Sequence, residues 1–328
     1  MSRRVLVVGP AWVGDMIMSQ IIYCCLRSRE PEVVLDVLAP RSTLSLVQRM
    51  PEVDRGILIK QGHGQLGLGY RRGLGQLLAK EKYDQAIVTP NSLKSSLVPF
   101  FAGIPRRTGF LGEYRYFLLN DIKLLDKKRL PLMIDRFLAL VDEPGASMIE
   151  PRLITDKSNQ DQLLQHFNLK QDRPITAFCP GAEFGDAKKW PESHYASLGR
   201  GLVNDGHEIW LLGGTGDQAG AAAIAAEIGE GCINLAGVTT ILDAIDLIGL
   251  ADRVVTNDSG LMHVAAAVGT RVVAIYGSTS ATFTPPLTDD AEIFSLELDC
   301  SPCLKRQCPL GHKNCLNNLT PEQVRSFL

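Results

Sequence analysis

Short runs of β-branched residues alternate with longer helical stretches along most of the chain, and this alternation limits the fold more than any other feature. In the first half, the runs predict strands at Val5–Val8, Val33–Leu38, Ile57–Ile59 and Ala86–Val88. The stretches between them predict helices at Met16–Arg29, Leu44–Arg49, Leu74–Lys82 and Leu93–Phe101. Apolar strands that alternate with helices are typical of a parallel sheet covered on both faces.

The second half repeats this rhythm. Its strands are predicted at Ile175–Phe178, Glu208–Leu212, Cys232–Asn234, Val254–Thr256 and Val272–Ile275. Its helices are predicted at Pro191–Asn204, Gln218–Ile228, Ile241–Ile248 and Gly260–Val268. A length of 328 residues exceeds one ordinary core and suits two domains. The polar segment 154–161 reads as a linker, so we expect domains over residues 1–155 and 162–328.

Two doubly wound sheets that face each other would form a cleft between them. In open parallel sheets, ligands bind beyond the carboxyl ends of the strands. The loops that follow strands are therefore the places to look for functional residues.

Composition and charge exclude several classes of protein. The formal net charge of −2 does not favour a nucleic-acid partner. No run approaches the roughly 18 apolar residues that a membrane-spanning helix needs. The apolar N-terminal run is interrupted at Gly9 and Pro10, which fits a first strand better than a signal peptide. We expect a cytoplasmic enzyme.

The motif that points most clearly to chemistry is the stretch 254–267, where a buried strand is followed by Asn257, Asp258, Ser259 and Gly260 and then by a small-residue helix. Free N–H groups and the helix dipole make such a turn an anion site suited to a diphosphate. His263 lies one turn after Ser259, on the same face. The alternative is that Asp258 or Ser259 merely caps the helix.

A second loop, Cys179–Pro191, also follows a strand and carries Lys188 and Lys189. Either lysine would bring a point charge to a phosphate. Adjacent lysines are also common on solvated surfaces, so this signal gains weight only beside the Asp-Ser-Gly turn.

The loop after the first strand, Gly9–Gln20, places Asp15 where the loop becomes a helix. From spacing alone, Asp15 fits a helix N-cap. The functional interpretation is a general base that removes a proton from an acceptor hydroxyl.

The segment Gly62–Gly67 matches the G-x-G-x-x-G pattern of dinucleotide-binding loops. Such a loop should follow the first strand of its unit and open directly into a helix. Because further glycines follow, we expect a mobile loop that carries Arg71 and Arg72. An NAD-dependent oxidoreductase built on this segment remains an alternative.

Four basic residues surround the predicted turn Pro105–Gly109, and these are Lys94, Arg106, Arg107 and Arg115. They are either ordinary solvated charge or a site for an acidic acceptor or a membrane surface.

The C-terminal segment 300–315 contains Cys300, Cys303, Cys308 and Cys315, with His312 between the last two. A C-x2-C pair with two further thiols suits a small structural zinc site, and reduced thiols are the alternative. A zinc-stabilised docking surface would fit a non-catalytic binding module.

Four ordered motifs identify a family, at residues 9–20, 90–109, 179–191 and 257–267. Over nearly the whole length the chain resembles the ADP-heptose:lipopolysaccharide heptosyltransferases of glycosyltransferase family 9. The resemblance implies a two-lobed GT-B fold, with an acceptor-binding N-terminal domain and a nucleotide-sugar-binding C-terminal domain. It also implies transfer of L-glycero-D-manno-heptose from ADP-heptose to the first heptose of the lipopolysaccharide inner core. The transfer would invert the anomeric carbon and need no catalytic metal.

By the same resemblance, Asp15 is the base and Lys188 neutralises the leaving diphosphate. The donor would also be contacted by Glu183, Phe184, Asp258, Ser259, Gly260, Leu261 and His263. The acceptor would be linked to lipid A at the cytoplasmic face of the inner membrane, where the enzyme would be peripheral. A related acceptor position or another nucleotide-sugar is the competing expectation, and the cysteine-rich tail is not required by the family chemistry.

Overall fold

The computed structural model describes residues 2–60, 64–141 and 150–328, so Gly62 and His63 of the glycine-rich motif lie outside the described residues. The chain divides into two compact units, Met1–Arg152 and Leu153–Leu328. Each unit contains one six-stranded, entirely parallel sheet.

In the N-terminal unit the strands are β1 Arg4–Val8, β2 Val34–Pro40, β3 Arg55–Ile59, β4 Gln85–Val88, β5 Arg106–Phe110 and β6 Asp121–Lys123. They lie in the order β3-β2-β1-β4-β5-β6. The helices are α1 Val13–Arg29, α2 Arg41–Val47, α3 Leu68–Leu78, α4 Leu97–Phe101 and α5 Met133–Leu138.

In the C-terminal unit the strands are β7 Ile175–Cys179, β8 Glu208–Leu211, β9 Cys232–Asn234, β10 Arg253–Asn257, β11 Arg271–Tyr276 and β12 Ala291–Ser295. They lie in the order β12-β11-β10-β7-β8-β9. The helices are α6 Lys157–His166, α7 Glu192–Asn204, α8 Gln218–Ile228, α9 Ile241–Ile248, α10 Gly260–Val268, α11 Asn314–Asn317 and α12 Pro321–Arg325.

The two sheets have the same internal order, with the first strand of each unit beside the fourth. The order therefore reverses between β1 and β4 and between β7 and β10. In doubly wound folds, the carboxyl ends of the strands at this reversal form the ligand-binding crevice. Each unit has one such switch point. The loops after β1 and β4 line that of the N-terminal unit, and the loops after β7 and β10 line that of the C-terminal unit.

The central strands are buried on both faces, as their continuous apolar sequences predict. Every residue of β7 is buried, and so is every residue of β4. The core of the C-terminal unit includes Trp190 and Phe178, packed against the helices that cover the sheet. This packing fixes the strand ends, and so it fixes where the switch-point loops begin.

Three local predictions were wrong. The turn expected at Pro105–Gly109 is instead strand β5, which is paired in parallel with β4 and β6. The linker expected at 154–161 contains the start of α6, whose N-cap Asp156 accepts hydrogen bonds from the backbone of Ser158 and Asn159. Capping residues are polar, as linkers are, which explains the error. The strands β6 and β12 were not predicted, because they are short and only partly buried.

The stretch that carries Arg71 and Arg72, expected as a mobile loop, is helical. Helix α3 begins at Leu68, after Gly67 in the left-handed conformation. Arg71 is buried in this helix and donates from Nε to the carbonyl of Leu66 at 2.8 Å. The segment follows β3, which is an edge strand remote from the switch point in the strand order. A dinucleotide fingerprint belongs after the first strand, so the oxidoreductase alternative loses its basis.

Candidate active site

The two polar loops of the C-terminal unit meet at its switch point. Strands β7 and β10 pair directly, with Cys179 opposite Thr256. The loop that carries Lys188 and the turn that carries Asp258 therefore leave neighbouring strands at the same edge of the sheet.

Lys188 and Asp258 form a mostly buried ion pair. The lysine Nζ lies 2.6 Å from Oδ2 of Asp258 and 3.3 Å from its backbone carbonyl. The two side chains are 14% and 5% exposed. Lys189 behaves differently, because its side chain is 36% exposed and lies 3.9 Å from Asp186. Of the two adjacent lysines, Lys188 is the one built into the site.

Ser259 occupies the N-cap position of α10, but its side chain makes no capping hydrogen bond. Its Oγ instead lies 3.3 Å from the hydroxyl of Thr256. The helix then starts at Gly260, followed by the partly buried Leu261. A helix N-terminus that is not capped by its own side chain leaves N–H groups for an anion. The interpretation of Ser259 as a simple cap is therefore not what the structure shows.

His263 is buried beneath this turn. Its Nδ1 has no hydrogen-bond partner within the described part of the chain. The pKa of its imidazole is lowered to about 4, chiefly by burial; the charge of Asp258 opposes this shift and that of Lys188 adds to it. His263 is therefore neutral at neutral pH and adds no cation to the site.

Asn257 connects the two loops, a role that sequence reasoning did not assign. Its Oδ1 accepts from the Trp190 backbone at 3.0 Å and from the Tyr195 hydroxyl at 3.2 Å. Its Nδ2 donates to the carbonyl of Pro180 at 2.6 Å. A polar residue at the end of a buried strand was the available signal.

Glu183 and Phe184 lie in the loop before Lys188. Glu183 is exposed, and Phe184 is partly buried. The Lys188 Nζ lies 5.0 Å from the centre of the Phe184 ring, and the Arg306 guanidinium lies 5.4 Å from it. Both cations therefore lie at the distance of a cation–π contact with this ring.

The cysteine-rich tail packs against this loop, which the sequence did not predict. The Ala187 backbone donates to the carbonyl of Arg306 at 3.1 Å, and a side chain at Gly185 would collide with that carbonyl. The tail also contacts the segment after β11, because Leu304 donates to the carbonyl of Ser278 at 2.7 Å. The tail thus supports the backbone that carries Lys188.

The sequence analysis did not single out two hydroxyl residues that follow β11. Ser278 Oγ and Thr279 Oγ1 are buried and lack hydrogen-bond partners among the residues that the structure describes. They follow a strand that neighbours β10. A small polar run directly after a buried strand was the available signal.

The four cysteines of the tail, Cys300, Cys303, Cys308 and Cys315, line one small cavity together with His312. All eight cysteines of the chain are free thiols. The Cys308 sulfur accepts backbone N–H groups, that of Lys313 foremost, which lowers the pKa of this thiol. Over the described ranges, however, no group of three or more His, Cys, Asp or Glu side chains is arranged to hold a metal ion.

In the N-terminal unit, Asp15 lies at the switch point after β1. Helix α1 begins at Val13 with Trp12 as its N-cap, so Asp15 is the third helical residue and the N-cap interpretation was wrong. Its side chain is partly buried. Gly9 allows the preceding loop to pack closely on Met16.

The four predicted basic residues do not form one solvated cluster. Lys94 lies in a short 3-10 turn after β4, at the switch point. Arg106 pairs with Asp121 at 2.8 Å, and Arg107 donates to the carbonyls of Leu118 and Ile104.

Arg115 is a structural cation and not a surface charge. It is 1% exposed and donates to the carbonyls of Phe110, Pro90 and Ser92 and to the hydroxyls of Ser95 and Ser96. Burial lowers the pKa of its guanidinium to about 10, which leaves it charged at neutral pH. Direct contact with an acceptor, as the sequence suggested for Arg115, is incompatible with this burial.

The sequence pattern of glycosyltransferase family 9 (heptosyltransferase) matches residues 71–314, which include Lys188, Asp258 and the first three cysteines of the tail. The chain belongs to glycosyltransferase family 9. It is 44% identical to lipopolysaccharide heptosyltransferase 2 of Escherichia coli K12 over 98% of this chain and 96% of that protein. It is also 44% identical to lipooligosaccharide heptosyltransferase 2 of Haemophilus influenzae Rd, over 98% and 97% of the two chains.

Among solved structures of family 9, that of E. coli ADP-heptose lps heptosyltransferase II superposes with a TM-score of 0.89 at 41% identity. It covers 98% of this chain and 96% of the other. The α/β fold with two doubly wound parallel sheets, the GT-B type, is confirmed, and so is the prediction of a glycosyltransferase. Membership of the family argues against a non-catalytic binding module. Within the described ranges, no helix is both long and apolar enough to cross a bilayer.

Proposed function

We propose that this glycosyltransferase moves L-glycero-D-manno-heptose from ADP-heptose to the first heptose of the lipopolysaccharide inner core. Near-full-length identity of 44% to two heptosyltransferases 2 supports this substrate pair. The observation that carries the proposal is the buried Lys188–Asp258 pair at a switch point, beside a helix N-terminus.

The donor side of the reaction belongs to the C-terminal unit. As the anomeric C–O bond breaks, ADP leaves with the electron pair and its diphosphate gains charge. The Lys188 ammonium and the first N–H groups of α10 offset that charge. Asp258 holds the ammonium in position before the donor binds. Ser259, Gly260 and Leu261 form the helix start on which the donor rests, with His263 buried beneath it, and Glu183 and Phe184 border it.

The acceptor side belongs to the N-terminal unit. The Asp15 carboxylate removes the proton of the acceptor hydroxyl, whose oxygen forms the new bond to the anomeric carbon. Attack opposite the leaving ADP inverts that carbon. Lys94 provides positive charge for an acidic acceptor. Arg106 and Arg107 open β5 and lie opposite the first residues of β4, at the end of the sheet away from Asp15 and Lys94, so we assign them no acceptor contact.

This mechanism uses no cofactor, because charge neutralisation comes from Lys188 and the helix terminus. A structural zinc ion on Cys300, Cys303, Cys308 and Cys315 is a separate prediction from the C-x2-C spacing. The four thiols share a cavity, and among the described residues no three or more His, Cys, Asp or Glu side chains are arranged to hold a metal ion. The proposed mechanism assigns no step to this segment. Metal analysis of the purified protein, against a variant with all four cysteines replaced by serine, decides between zinc and free thiols.

The direct test of the substrates is ADP release from ADP-heptose, with and without a once-heptosylated acceptor. We expect release that requires the acceptor and a product one heptose heavier. The unheptosylated acceptor and donors with another sugar are the controls. Equal turnover with either would show that the substrate assignment is wrong.

Because the acceptor is anchored in lipid, we also propose that the enzyme works peripherally at the cytoplasmic face of the inner membrane. This location follows from the proposed acceptor.

A further inference from the structure

The segments on either side of β6, the outermost strand on one side of the N-terminal sheet, expose an unusual number of large apolar side chains. Tyr114 and Phe117 are 88% and 89% exposed, Leu124 is 77% exposed and Tyr116 is 53% exposed. We call these four residues the edge patch. They lie within eleven consecutive residues, around the edge strand β6. Exposed large apolar residues that occur singly need no explanation, but a concentrated group marks an interaction surface.

The backbone beneath the edge patch is held firmly. Arg115, between two residues of the patch, is buried and donates to the carbonyls of Phe110 and Pro90 at 2.6 and 2.7 Å. Glu113 accepts a hydrogen bond from the backbone of Leu93 at 2.6 Å. Glu113 and Tyr114 both have positive φ angles, of 46° and 53°, which bulky residues rarely adopt. The loop is therefore fixed in a conformation that directs Tyr114 into solvent.

A basic turn adjoins the patch. Lys127, Lys128 and Arg129 are exposed and make no ion pair within the described residues. Asp126 accepts from the backbone of Lys128 and Arg129, at 2.9 and 3.2 Å, and so shapes the turn.

The nearby acidic groups only partly offset this charge. Asp121 pairs with Arg106 at 2.8 Å, and Asp126 keeps its charge while it accepts backbone hydrogen bonds. Residues 121–129 contain four basic and two acidic side chains, so the segment remains positive. The whole chain has a net charge of −2, so the basic turn is a local feature.

Tyr114, Leu124 and the basic turn lie at the carboxyl ends of the strands, as the acceptor side does, whereas Tyr116 and Phe117 lie on the connection that returns from β5 to the start of β6. The loop with Tyr114 follows the carboxyl end of β5, and Leu124 follows the carboxyl end of β6. Leu111 donates to the carbonyl of Lys123 at 2.9 Å, which holds the two exits together. Because the strands are parallel, Asp15 and Lys94 follow strands that end at this edge too.

We propose that the surface formed by the edge patch and the basic turn docks on an anionic lipid bilayer. The edge patch then lies in the headgroup region, and Lys127, Lys128 and Arg129 contact the lipid phosphates. Tyrosine and other amphipathic rings favour the bilayer interface, and juxtamembrane basic residues are attracted to anionic lipid. Two such signals together give stable but reversible association. The inference rests on the proposed lipid-linked acceptor, because docking brings the acceptor-side strand ends to the surface that displays it.

The test is cosedimentation of the full-length protein with vesicles of phosphatidylethanolamine, with or without phosphatidylglycerol. We expect binding to the anionic vesicles only. The double variant Lys127→Glu/Lys128→Glu should weaken it more than tenfold, since each basic residue contributes on the order of fivefold. Tyr114→Ser/Phe117→Ser should weaken it comparably. Leu77→Ser, which changes an exposed leucine of α3, and Lys170→Glu, which changes an exposed lysine of the C-terminal unit, are the matched controls.

A second readout separates docking from catalysis. With a deacylated, water-soluble acceptor, both double variants should turn over at the wild-type rate, which also shows that they fold. A wild type that transfers heptose but binds neither vesicle, or binding that survives both double variants, would overturn the docking proposal and leave the function intact. Vesicle binding without transfer to either acceptor would instead refute the proposed function.

Discussion

The two switch points of this chain are built differently although their sheets have the same strand order. At the carboxyl ends of β7 and β10, Lys188 and Asp258 already form an ion pair with side chains 14% and 5% exposed. At the ends of β1 and β4, Asp15 lies in the first turn of α1 and Lys94 in a short 3-10 turn, and both side chains are only partly buried. The buried charged residues of the N-terminal unit include Asp36, Arg71 and Arg115, and Arg115 supports the backbone.

This difference matches the chemistry of the two proposed substrates. A nucleotide diphosphate has a constant shape, so a site for it gains from groups fixed in advance by Phe184, Asn257 and the tail. A lipid-linked saccharide is larger and is presented at a surface. Accessible side chains on a rigid backbone, as in the N-terminal unit, therefore suit its binding. Four predictions test this difference between the two switch points.

The largest effect is expected for Asp15→Asn. The substitution removes the proposed base while it keeps size and hydrogen bonding, so kcat should fall on the order of 10³-fold. Steady-state kinetics with saturating donor measure it. Turnover within a few fold of the wild type would remove Asp15 from the mechanism.

Arg115→Met should be the most destabilising change in the N-terminal unit. It leaves several buried carbonyls and hydroxyls without a donor, so the free energy of unfolding should fall by at least about 3 kcal/mol. Arg106→Met, which breaks an exposed pair, should cost no more than about 1 kcal/mol. Urea unfolding of both variants provides the comparison, and equal losses would show that Arg115 is not structural.

Lys188→Met should destabilise the C-terminal unit by about 3 kcal/mol, because it leaves the Asp258 carboxylate buried and unpaired. Adding Asp258→Asn should recover much of that loss, since the unpaired charge is then gone. Lys189→Met is the matched control and should change stability little. Thermal unfolding measures these differences. Equal stabilities of Lys188→Met, Lys188→Met/Asp258→Asn and Lys189→Met would show that the ion pair does not stabilise the unit.

The effect that is smallest at neutral pH is a pH dependence caused by His263. Its pKa is about 4 in the folded protein, below its usual value near 6.5, so the unfolded chain takes up a proton first as pH falls. The free energy of unfolding should therefore decrease between pH 6.5 and 4, by up to about 1.4 kcal/mol per unit. His263→Gln should have a shallower slope in the same window. Parallel curves for the two proteins would contradict the burial argument.

The fold was accessible from sequence wherever a segment is both regular and buried. The central strands and the loops after β1, β7 and β10 follow from apolar runs with glycine, proline or polar residues at their ends. β5 was missed because it opens with Arg106 and Arg107, whose charges are satisfied by partners that a local pattern does not reveal.

The sequence predicts which residues belong to the site, but it does not predict which of them contact each other. Lys188 and Asp258 are 70 residues apart, and their contact depends on β7 and β10 being neighbours. The support of the Lys188 loop by Arg306, and the burial of Arg115, likewise arise from tertiary packing. Resemblance to the family supplied roles for Asp15 and Lys188, whereas periodicity supplied only their places at strand ends.

The division of labour between the two switch points is tested most directly by ADP affinity and turnover measured together. The variants are Asp15→Asn and the neutral pair Lys188→Met/Asp258→Asn, with calorimetry for ADP and acceptor-dependent ADP release for turnover. We expect Asp15→Asn to bind ADP as the wild type does and to lose turnover, and the neutral pair to lose both. ADP binding that is lost in Asp15→Asn, or kept in the neutral pair, would contradict the assignment of donor and acceptor to the two units.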